Sequence, residues 1–564
     1  MEGTLMDEVP FTEKDLLAGH LGEMVDNCVR AHGGKSAFSC VLPTGHSHTM
    51  TYTELGEYSD AVAAYLREDL GLKPGDVVAI QSPNTLAYPV LAFGIMKAGL
   101  IITNVNPLYT PDETNHQLKD SGAKVWFVID VFGDRVQESI KDTDVSRIYP
   151  ISLVDFFPGM KRHLLGFALK YIKKAVPDFG AEKAGSIHGV IRKGRKHLAA
   201  GVNIEAYREG ATLDDVAIFQ YTGGTTGRSK GAELTHRNVV GNISQANHRE
   251  GAFSAQPDDA LMLILPLYHV YALAVGAINS MHLGIHVVLV PVPRPLSNLK
   301  PVFENFDITI MPGVNTLYLG LMQEKWFTSN PPTSLRLCMS GAAPLQPATA
   351  DAWEDITGAP IYEGYGLTEG TCIVASMPLD QPPRRGTCGR PIPGTEVRIV
   401  GEDGKDRPRG EPGELWLKGP QIMKGYLNNA EATDEAINDG WLRTGDVAIF
   451  DEEGYLSIVD RMKDMVIVSG FNVFPTDIED VLTRFDRVAE AAVVGAPDGE
   501  TGEKVVAYIV KADQDLTDDE VIRHCREHLT GYKVPKTVCF VNELPKSPVG
   551  KVLRRELRDL AASL

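Results

Sequence analysis

Several features of large protein classes are absent from this 564-residue chain. Its seven cysteines are scattered without a Cys-x-x-Cys pair, which argues against a disulfide framework and predicts a reduced, cytoplasmic compartment. Basic residues are in deficit, 55 against 74 acidic ones, and the net charge of −19 predicts no nucleic-acid partner. Residues 1–8 lack an apolar core and are not expected to form a signal peptide.

An uninterrupted apolar run long enough to span a bilayer is also missing. Residues 260–293 contain no Asp, Glu, Lys or Arg, yet Pro266, His269 and Asn279 interrupt the segment. Central strands of parallel sheets are apolar on both faces. The segment therefore predicts a buried strand over 261–265, a helix, and a second buried strand over 286–290.

The composition that is present, 43% hydrophobic and 23% charged, is typical of a globular enzyme too long for one core. Helical and strand patterns alternate between residues 38 and 129, which predicts an α/β fold with stacked parallel sheets covered by helices. We expect this large N-terminal domain to span residues 1–462. Short strands and glycine turns over about 390–460 predict a small β subdomain within it. Residues 463–564 predict a small C-terminal α+β domain.

A glycine- and threonine-rich turn at 221–231 is the first candidate ligand site. It follows a strand-like stretch and precedes a helix, and its glycines let the backbone N–H groups approach an anion. The predicted phosphate contacts are Thr222, Gly223, Gly224, Thr225, Thr226, Gly227 and Lys230. The lysine does not follow a glycine, so the spacing differs from that of P-loop NTPases. A surface loop without a ligand is the alternative.

Two strand ends carry further candidates. Gly341 and Ala342 would leave room for a flat ligand, or form a plain tight turn. Further along, Tyr365 is presented as a flat aromatic beside Thr368 and Glu369. The glycines there miss the G-x-G-x-x-G spacing by one residue. Glu369 is a candidate Mg²⁺ ligand because Mg²⁺ takes oxygen ligands, although it could equally be a surface charge.

Three single residues complete the candidate set. His269 follows a buried strand and suits a pocket wall or a satisfied core position. Asp446 ends a tight turn, where it would accept ribose hydroxyls or act only as a turn residue. Lys551 lies on a Pro/Gly-rich loop before a basic helix, either exposed for function or as part of a solvated tail.

Residues 161–197 run against the acidic trend of the chain. Leu165, Leu169, Ile172 and Val176 are predicted on one helical face, with lysines displaced from it. A basic amphipathic helix of this kind suits an anionic membrane surface. An ordinary solvated helix docked on the protein is the alternative.

Together and in this order, the motifs resemble the adenylate-forming acyl-CoA synthetases, and within them the bacterial long-chain fatty acid–CoA ligases. The resemblance covers nearly the whole chain and rests on 221–231, 365–369, 444–446, 460–464 and 545–555, together with 266–270 and 470–475. It implies two steps. A carboxylate attacks the α-phosphate of ATP·Mg²⁺ to give acyl-adenylate and pyrophosphate, and the thiol of coenzyme A then gives acyl-CoA and AMP.

The resemblance also implies residue roles. Its nucleotide contacts are Thr222, Gly223, Gly224, Thr225, Thr226, Gly227, Lys230, Gly341, Ala342, Glu363, Gly364, Tyr365, Gly366, Thr368, Asp446 and Arg461. Its catalytic residues are Lys551, Thr226, Glu369 and His269, with Glu369 and Thr226 as metal ligands. Lys463 is the hinge of a mobile C-terminal domain, Gly470, Phe471 and Asn472 contact coenzyme A, and His269, Val270, Gly313 and Val314 line the acyl pocket. Gly276 and Gly313 are expected to leave a deep channel.

Other functions stay open at this point. A fatty acyl-AMP ligase would pass its adenylate to a carrier protein, and a medium-chain or aromatic acid would replace the long chain. A non-catalytic binding protein with the same fold is a third reading, weakened because Lys230, Glu369, Asp446 and Lys551 are all present. Monomer and homodimer are both compatible with the sequence. Membrane contact would be peripheral, on the inner face of the membrane.

Overall fold

The computed structural model describes residues 9–222, 228–249, 253, 255–469, 471–499, 501–547 and 550–562. Over these ranges the chain is mixed α/β, with two large sheets, a small β sheet and a C-terminal sheet. This arrangement confirms the predicted fold class.

Two large sheets, mostly parallel, form the N-terminal part. Their strands are β1 (Ser36–Val41), β2 (Ser47–Thr51), β3 (Val77–Gln81), β4 (Ile101–Asn104), β5 (Ala123–Ile129), β6 (Arg147–Ile151), β7 (Val216–Thr222), β8 (Lys230–Thr235), β9 (Ala260–Leu263), β10 (His286–Leu289), β11 (Ile310–Gly313), β12 (Leu337–Ser340), β13 (Ile361–Tyr365), β14 (Ala375–Ser376) and β15 (Arg390–Pro391). One sheet has the order β6-β5-β3-β4-β7-β8 and the other β15-β14-β13-β12-β11-β9-β10-β1-β2. Antiparallel pairs occur only at the edges of these paths, so the buried central strands read as continuous apolar runs.

Helices cover the sheets. They are α1 (Leu21–His32), α2 (Tyr52–Ala64), α3 (Ala87–Lys97), α4 (Pro111–Ser121), α5 (Val136–Ser139), α6 (Gly159–Phe167), α7 (Ile187–Ala199), α8 (His236–His248), α9 (Ser280–His282), α10 (Lys300–Asn305), α11 (Asn315–Gln323), α12 (Lys325–Thr328), α13 (Pro347–Thr357), α14 (Ala430–Ala436), α15 (Pro475–Thr483), α16 (Asp518–His528) and α17 (Arg554–Ala561). Thr51, Thr110 and Thr235 each start a helix with a reciprocal capping box. Such caps satisfy the free N–H groups of the first turn.

The charge-free segment 260–293 folds as predicted, into a buried strand, a helix and a second buried strand. β9 is followed by a π-helical stretch, Ala272–Asn279, then by α9 and β10. Within the described ranges, the helices are too short or too polar to cross a membrane.

The small β sheet and the C-terminal sheet follow in the chain. Their strands are β16 (Glu396–Val400), β17 (Gly413–Lys418), β18 (Ile437–Asn438), β19 (Trp441–Phe450) and β20 (Leu456–Arg461), then β21 (Val466–Val468), β22 (Phe471–Val473), β23 (Val488–Asp498), β24 (Gly502–Lys511) and β25 (Thr537–Val541). Val466, Val493, Ile509 and Val521 belong to a hydrophobic cluster built only from residues after the small β sheet. The C-terminal residues therefore have a core of their own.

The basic segment 161–197 divides into two parts. α7 docks against α2 so closely that a Cβ on Gly194 would lie 1.7 Å from the carbonyl oxygen of Ala61. α6 is followed by a π-helical turn, Ala168–Ile172. The predicted single apolar face is wrong, because Leu165 and Leu169 pack on the core while Ile172 is exposed and Val176 lies beyond the helix.

Candidate active site

The carboxyl ends of strands from both large sheets converge on a cavity of about 890 Å³. Ligands of open α/β sheets bind at such strand ends. The predicted residues that line it are Thr222, Lys230, His269, Val270, Gly341, Ala342, Glu363, Gly364, Tyr365, Gly366, Thr368, Glu369, Arg461, Lys463 and Lys551. Gly223, Gly224, Thr225, Thr226, Gly227 and Gly470 lie outside the described residues.

The turn that carries His269 is held by a side chain from the other sheet. Asn84 donates to the carbonyl oxygens of Leu263 and Leu265, both at 2.9 Å, and accepts from the N–H of Leu267 at 2.8 Å. Gln220, near the end of β7, donates to the carbonyl oxygen of Tyr268 at 2.9 Å. These buried amides fix the turn in place, and their sequence surroundings gave no signal of this role.

His269 is an uncharged group at neutral pH. Burial lowers the pKa of its imidazole to about 4, and the nearby charge of Lys551 acts in the same direction. The N–H of Tyr271 donates to His269 Nδ1 at 3.3 Å, which places the proton of the neutral ring on Nε2. The side chain can therefore offer one N–H donor to a ligand without bringing a charge.

One wall of the cavity requires residues with little or no side chain. A Cβ on Gly366 would lie 1.4 Å from the carbonyl oxygen of Cys372, so any other residue would displace the backbone. Ala342 holds a φ of 65°, which is uncommon for a residue with a Cβ. The backbone of this wall is closely packed, and Gly341 and Gly364 line the cavity without a side chain.

Glu363 lies in the same wall. Its Oε1 accepts from the N–H of Leu345 at 3.1 Å, while burial raises the pKa of its carboxyl to about 8. A carboxyl that is protonated at neutral pH can donate a hydrogen bond to a ligand.

Asp446 sits behind the cavity wall and organises two of its residues. The hydroxyl of Tyr365 donates to Asp446 Oδ2 at 2.5 Å, and Arg461 Nε lies 3.0 Å from Oδ1. Asp446 and Arg461 face each other across β19 and β20. The sequence placed Tyr365 as a flat aromatic only, whereas the structure shows that its hydroxyl is tied to the buried carboxylate.

Tyr426, which was not predicted, contacts Glu369 and Lys230, two of the residues predicted to lie near the phosphates. Its hydroxyl donates to Glu369 Oε1 at 2.8 Å, and Lys230 Nζ lies 5.1 Å from the centre of its ring. In the described part of the chain, no group of three His, Cys, Asp or Glu side chains forms a ready-made metal site. A single carboxylate suits Mg²⁺, which keeps several waters and takes its other ligands from substrate phosphates.

Lys551 reaches the cavity from the C-terminal sheet region. Its loop is closed by hydrogen bonds from Ser547 N to Lys551 O at 2.7 Å and from Gly550 N to Ser547 O at 2.8 Å. Gly550 has a φ of 81°, and a Cβ there would lie 2.8 Å from Thr316 Oγ1. Burial lowers the pKa of the Lys551 ammonium to about 8, with nearby Arg461 acting in the same direction.

Of the predicted acyl-pocket residues, His269 and Val270 line the cavity. Gly313 and Val314 lie outside the cavity, because Gly313 packs against Leu317 and Tyr318 while Val314 meets the loop at Gly550. Gly276 does not open a channel either, since a Cβ there would lie 2.5 Å from the side chain of Leu263. The apolar side of the cavity is formed instead by Ala246, Phe253, Val270, Val275, Met377 and Leu379.

The segment before the C-terminal sheet is tied to helices α15 and α17. Asp460 accepts from the N–H of Thr476 at 3.0 Å, and Arg554 lies 3.5 Å from the same carboxylate. Arg558 donates to the carbonyl oxygen of Lys463 at 3.0 Å. Burial lowers the pKa of Lys463, which lines the cavity beside Arg461.

Phe471 and Asn472 are exposed and lie outside the cavity lining. The ring of Phe471 stacks on Tyr532, with centroids 4.7 Å apart and an angle of 14° between the rings. The predicted coenzyme A contacts are thus directed to solvent in this arrangement.

Residues 25–427 match the model of a family described as AMP-binding enzyme, and residues 477–551 match the model described as AMP-binding enzyme C-terminal domain. The chain belongs to the AMP-binding enzyme family. A long-chain-fatty-acid–CoA ligase of Yersinia pestis is 43% identical over 537 residues, which is 95% of this chain and 93% of that relative. This identity confirms the resemblance drawn from the motifs.

Solved structures of similar proteins superimpose on nearly the whole of this chain. The anthranilate CoA ligase AuaEII in complex with anthranoyl-AMP superimposes with a TM-score of 0.83 at 26% identity, covering 98% of this chain and 100% of that one. ATP-bound MatB from Rhodopseudomonas palustris superimposes with a TM-score of 0.79 at 28% identity, covering 96% and 99%. The two-sheet core with its smaller C-terminal part is therefore the fold of this family.

Proposed function

We propose that this protein is a long-chain fatty acid–CoA ligase that forms acyl-adenylate and then acyl-CoA. The observation that carries the proposal is one cavity that is lined by Lys551, Arg461 and Glu369 and also by apolar side chains. Cations at one end suit phosphate and carboxylate oxygens, and the apolar wall suits a hydrocarbon chain. Two of the relatives named above are CoA ligases by name, and the structure of one of them holds an acyl-adenylate, anthranoyl-AMP.

In the first step the fatty acid carboxylate attacks the α-phosphorus of ATP, the bond to the bridging oxygen breaks, and pyrophosphate leaves. Lys551 donates to the carboxylate and α-phosphate oxygens, while Lys230 and the adjoining turn hold the leaving pyrophosphate. Glu363 and the wall formed by Gly341, Gly364 and Tyr365 accept the adenine. Asp446 acts on the nucleotide through Tyr365 and Arg461, which it holds from behind that wall. Catalysis then consists mainly of positioning and charge neutralisation.

Glu369, with Thr226 outside the described residues, would hold Mg²⁺. The ion would neutralise phosphate charge when it is bound with ATP. Tyr426, which also lines the cavity, supports this arrangement because its hydroxyl donates to Glu369 Oε1 and orients the carboxylate.

In the second step the thiolate of coenzyme A attacks the acyl carbonyl, and AMP leaves. We propose that the C-terminal domain, 463–564, rotates about Lys463 between the steps. The Lys551 loop would leave, and Phe471 with Asn472 would enter to contact coenzyme A. Phe471 and Asn472 are exposed and lie outside the cavity in this structure, so a rotation of the domain would be needed to bring them to the acyl-adenylate.

Incubation with ATP, Mg²⁺, palmitate and coenzyme A tests the proposal. We expect stoichiometric release of AMP and pyrophosphate with palmitoyl-CoA, and weaker activity with octanoate or benzoate. Accumulation of palmitoyl-AMP despite coenzyme A would favour the carrier-protein ligase. Absence of adenylate with every acid would rule out both enzymes.

We propose in addition that the protein contacts the inner face of the membrane peripherally, through the basic segment 161–197. A long-chain acid partitions into bilayers, so contact with the bilayer surface brings the cavity to its substrate. The local positive charge in an otherwise acidic chain supports this proposal.

A further inference from the structure

The helix that begins at Gly159 exposes more apolar surface than a solvated helix needs. Its outward apolar side chains are Met160 (80% exposed), Leu164 (64%), Phe167 (57%), Tyr171 (59%) and Ile172 (72%). The first three have the spacing i, i+4 and i+7 of one helical face, and Tyr171 and Ile172 follow in the π-helical turn. Twelve large hydrophobic side chains are exposed in the described residues, and five lie here, so this is a patch rather than ordinary scatter.

The surroundings of this stripe, residues 160, 164, 167, 171 and 172, are basic. Between Asp155 and Asp178 the sequence has no acidic residue, while the whole chain carries −19. The basic residues of the interval are Lys161, Arg162, Lys170, Lys173 and Lys174. Apolar side chains flanked by cations match an anionic bilayer, in which the first enter the acyl boundary and the second stay with the headgroups.

The opposite face of the helix holds the stripe outward. Leu165 and Leu169 pack on the core, and Arg162 Nη1 lies 2.6 Å from His188 Nε2. Rotation that would hide the stripe would expose these contacts. The stripe therefore faces solvent in this structure.

The second half of the basic segment does not share this character. In α7, Arg195 pairs with Glu57 at 3.2 Å and His197 with Asp69 at 2.8 Å. Its apolar residues, among them Val190 and Ile191, are buried against the protein. Charge that is already paired within the protein contributes little to a membrane surface.

We propose that the stripe on Gly159–Ile172 is the membrane-inserting face of this protein, and that α7 is not part of it. The inference rests on the membrane contact proposed above and names the residues that make it. The helix lies along the surface of an anionic bilayer, with Phe167 and Tyr171 at the boundary of the acyl chains and the lysines among the headgroups.

Co-sedimentation with vesicles that contain phosphatidylglycerol tests this assignment. The double variant Leu164→Ser/Phe167→Ser is expected to bind these vesicles at least about tenfold more weakly, since it removes two inserting side chains. Leu108→Ser is the matched control, because Leu108 is 61% exposed but lies outside the patch. Lys170→Gln/Lys173→Gln should weaken binding to anionic vesicles only.

Unchanged sedimentation of the double variant would overturn the assignment. A wild-type dimer in the absence of vesicles that becomes monomeric in the double variant would overturn it as well, by assigning the stripe to a second copy. Acyl-CoA formation from water-soluble octanoate without vesicles should be equal in all variants. Failure of that reaction in the wild-type protein would count against the proposed reaction rather than the stripe.

A second, independent observation concerns Tyr532. It is partly buried against the C-terminal core, and its neighbour Lys533 pairs with Asp477 at 2.6 Å, so its position is firmly set. Phe471, which stacks on it, is 55% exposed. We infer that Tyr532 is a positioning residue that holds Phe471 ready for coenzyme A, an inference that rests on the proposed second step. Phe471 and Tyr532 both lie after Lys463 in the chain. They would therefore move together in the proposed rotation, and the stack would be preserved.

Tyr532→Ala is expected to raise the KM for coenzyme A roughly 3- to 10-fold, the value of an aromatic pair. Pyrophosphate exchange, which reports the first step alone, should be unchanged and shows that the variant is folded. Tyr532→Phe keeps the stack and should restore the wild-type KM. An unaltered KM in Tyr532→Ala, or an equal rise in Tyr532→Phe, would overturn the stacking role.

Discussion

Replacement of Lys551 by alanine is expected to lower the rate of acyl-adenylate formation by a factor on the order of 10² to 10³, as loss of a transition-state donor does. Lys551 lines the cavity with its ammonium partly desolvated, where charge interactions are stronger than in water. The developing negative charge between carboxylate and α-phosphate would lose its donor. Pyrophosphate exchange with ATP and palmitate measures this step directly.

The same variant should still convert supplied palmitoyl-adenylate and coenzyme A to palmitoyl-CoA, because the proposed rotation of the C-terminal domain would carry Lys551 out of the site in that step. Lys546→Ala is the matched control, since Lys546 lies on the same loop but pairs with Glu490 at 2.6 Å. Equal damage to both steps in Lys551→Ala would contradict domain alternation.

The ionisation of Lys551 also predicts a pH limit. With a pKa of about 8, the ammonium is present below that pH and is lost above it, so kcat/KM for ATP in adenylation should fall as the pH rises through 8. Glu363 titrates in the same range. Lys551→Arg separates the two, because a guanidinium keeps its charge and abolishes any decline caused by residue 551.

The variant Asp446→Asn is expected to lower kcat/KM for ATP about 10- to 100-fold, the usual effect of losing a charged hydrogen-bond acceptor. Tyr365 donates to one of its oxygens and Arg461 lies against the other. Asparagine keeps the shape of the side chain but replaces one carboxylate oxygen, an acceptor, by an NH₂ group. That NH₂ donor would then face the Tyr365 hydroxyl or Arg461, which are donors themselves. Arg461 is then left without its carboxylate, and Tyr365 loses the anchor that orients its ring toward the nucleotide. The measurement is ATP dependence in the exchange assay.

The exposed Asp439 provides the control for Asp446, since Asp439→Asn makes the same chemical change on the surface and should leave ATP kinetics unchanged. The KM for coenzyme A should be unaffected in both variants. Wild-type kcat/KM for ATP in Asp446→Asn would remove Asp446 from the nucleotide site.

Much of the candidate site was predictable because its residues follow strand ends. Gly341 and Ala342 follow β12, and Glu369 lies shortly after β13. In a parallel sheet these ends meet at one edge, so the local order of strand and polar turn predicts a shared site. Asn84 and Tyr426 escaped prediction because each acts on a residue far away in the chain, at Leu263 and Glu369 respectively.

One error has an identifiable physical cause. The apolar face of the basic helix was drawn with a period of 3.6 residues. The helix changes to a π-helical turn at Ala168–Ile172, which shifts the phase and directs Ile172 outward.

The sequence alone determined the fold class, the order of the candidate site turns and the family chemistry, because these follow from local patterns of strand, turn and reactive side chain. Only the tertiary structure decided which of those side chains share a cavity and which lie behind its wall, as Asp446 does. It also decided that α7 is docked while α6 presents an apolar stripe to solvent. Both outcomes depend on contacts between residues distant in the chain, and a periodic pattern of side chains does not specify the surface that each helical face meets.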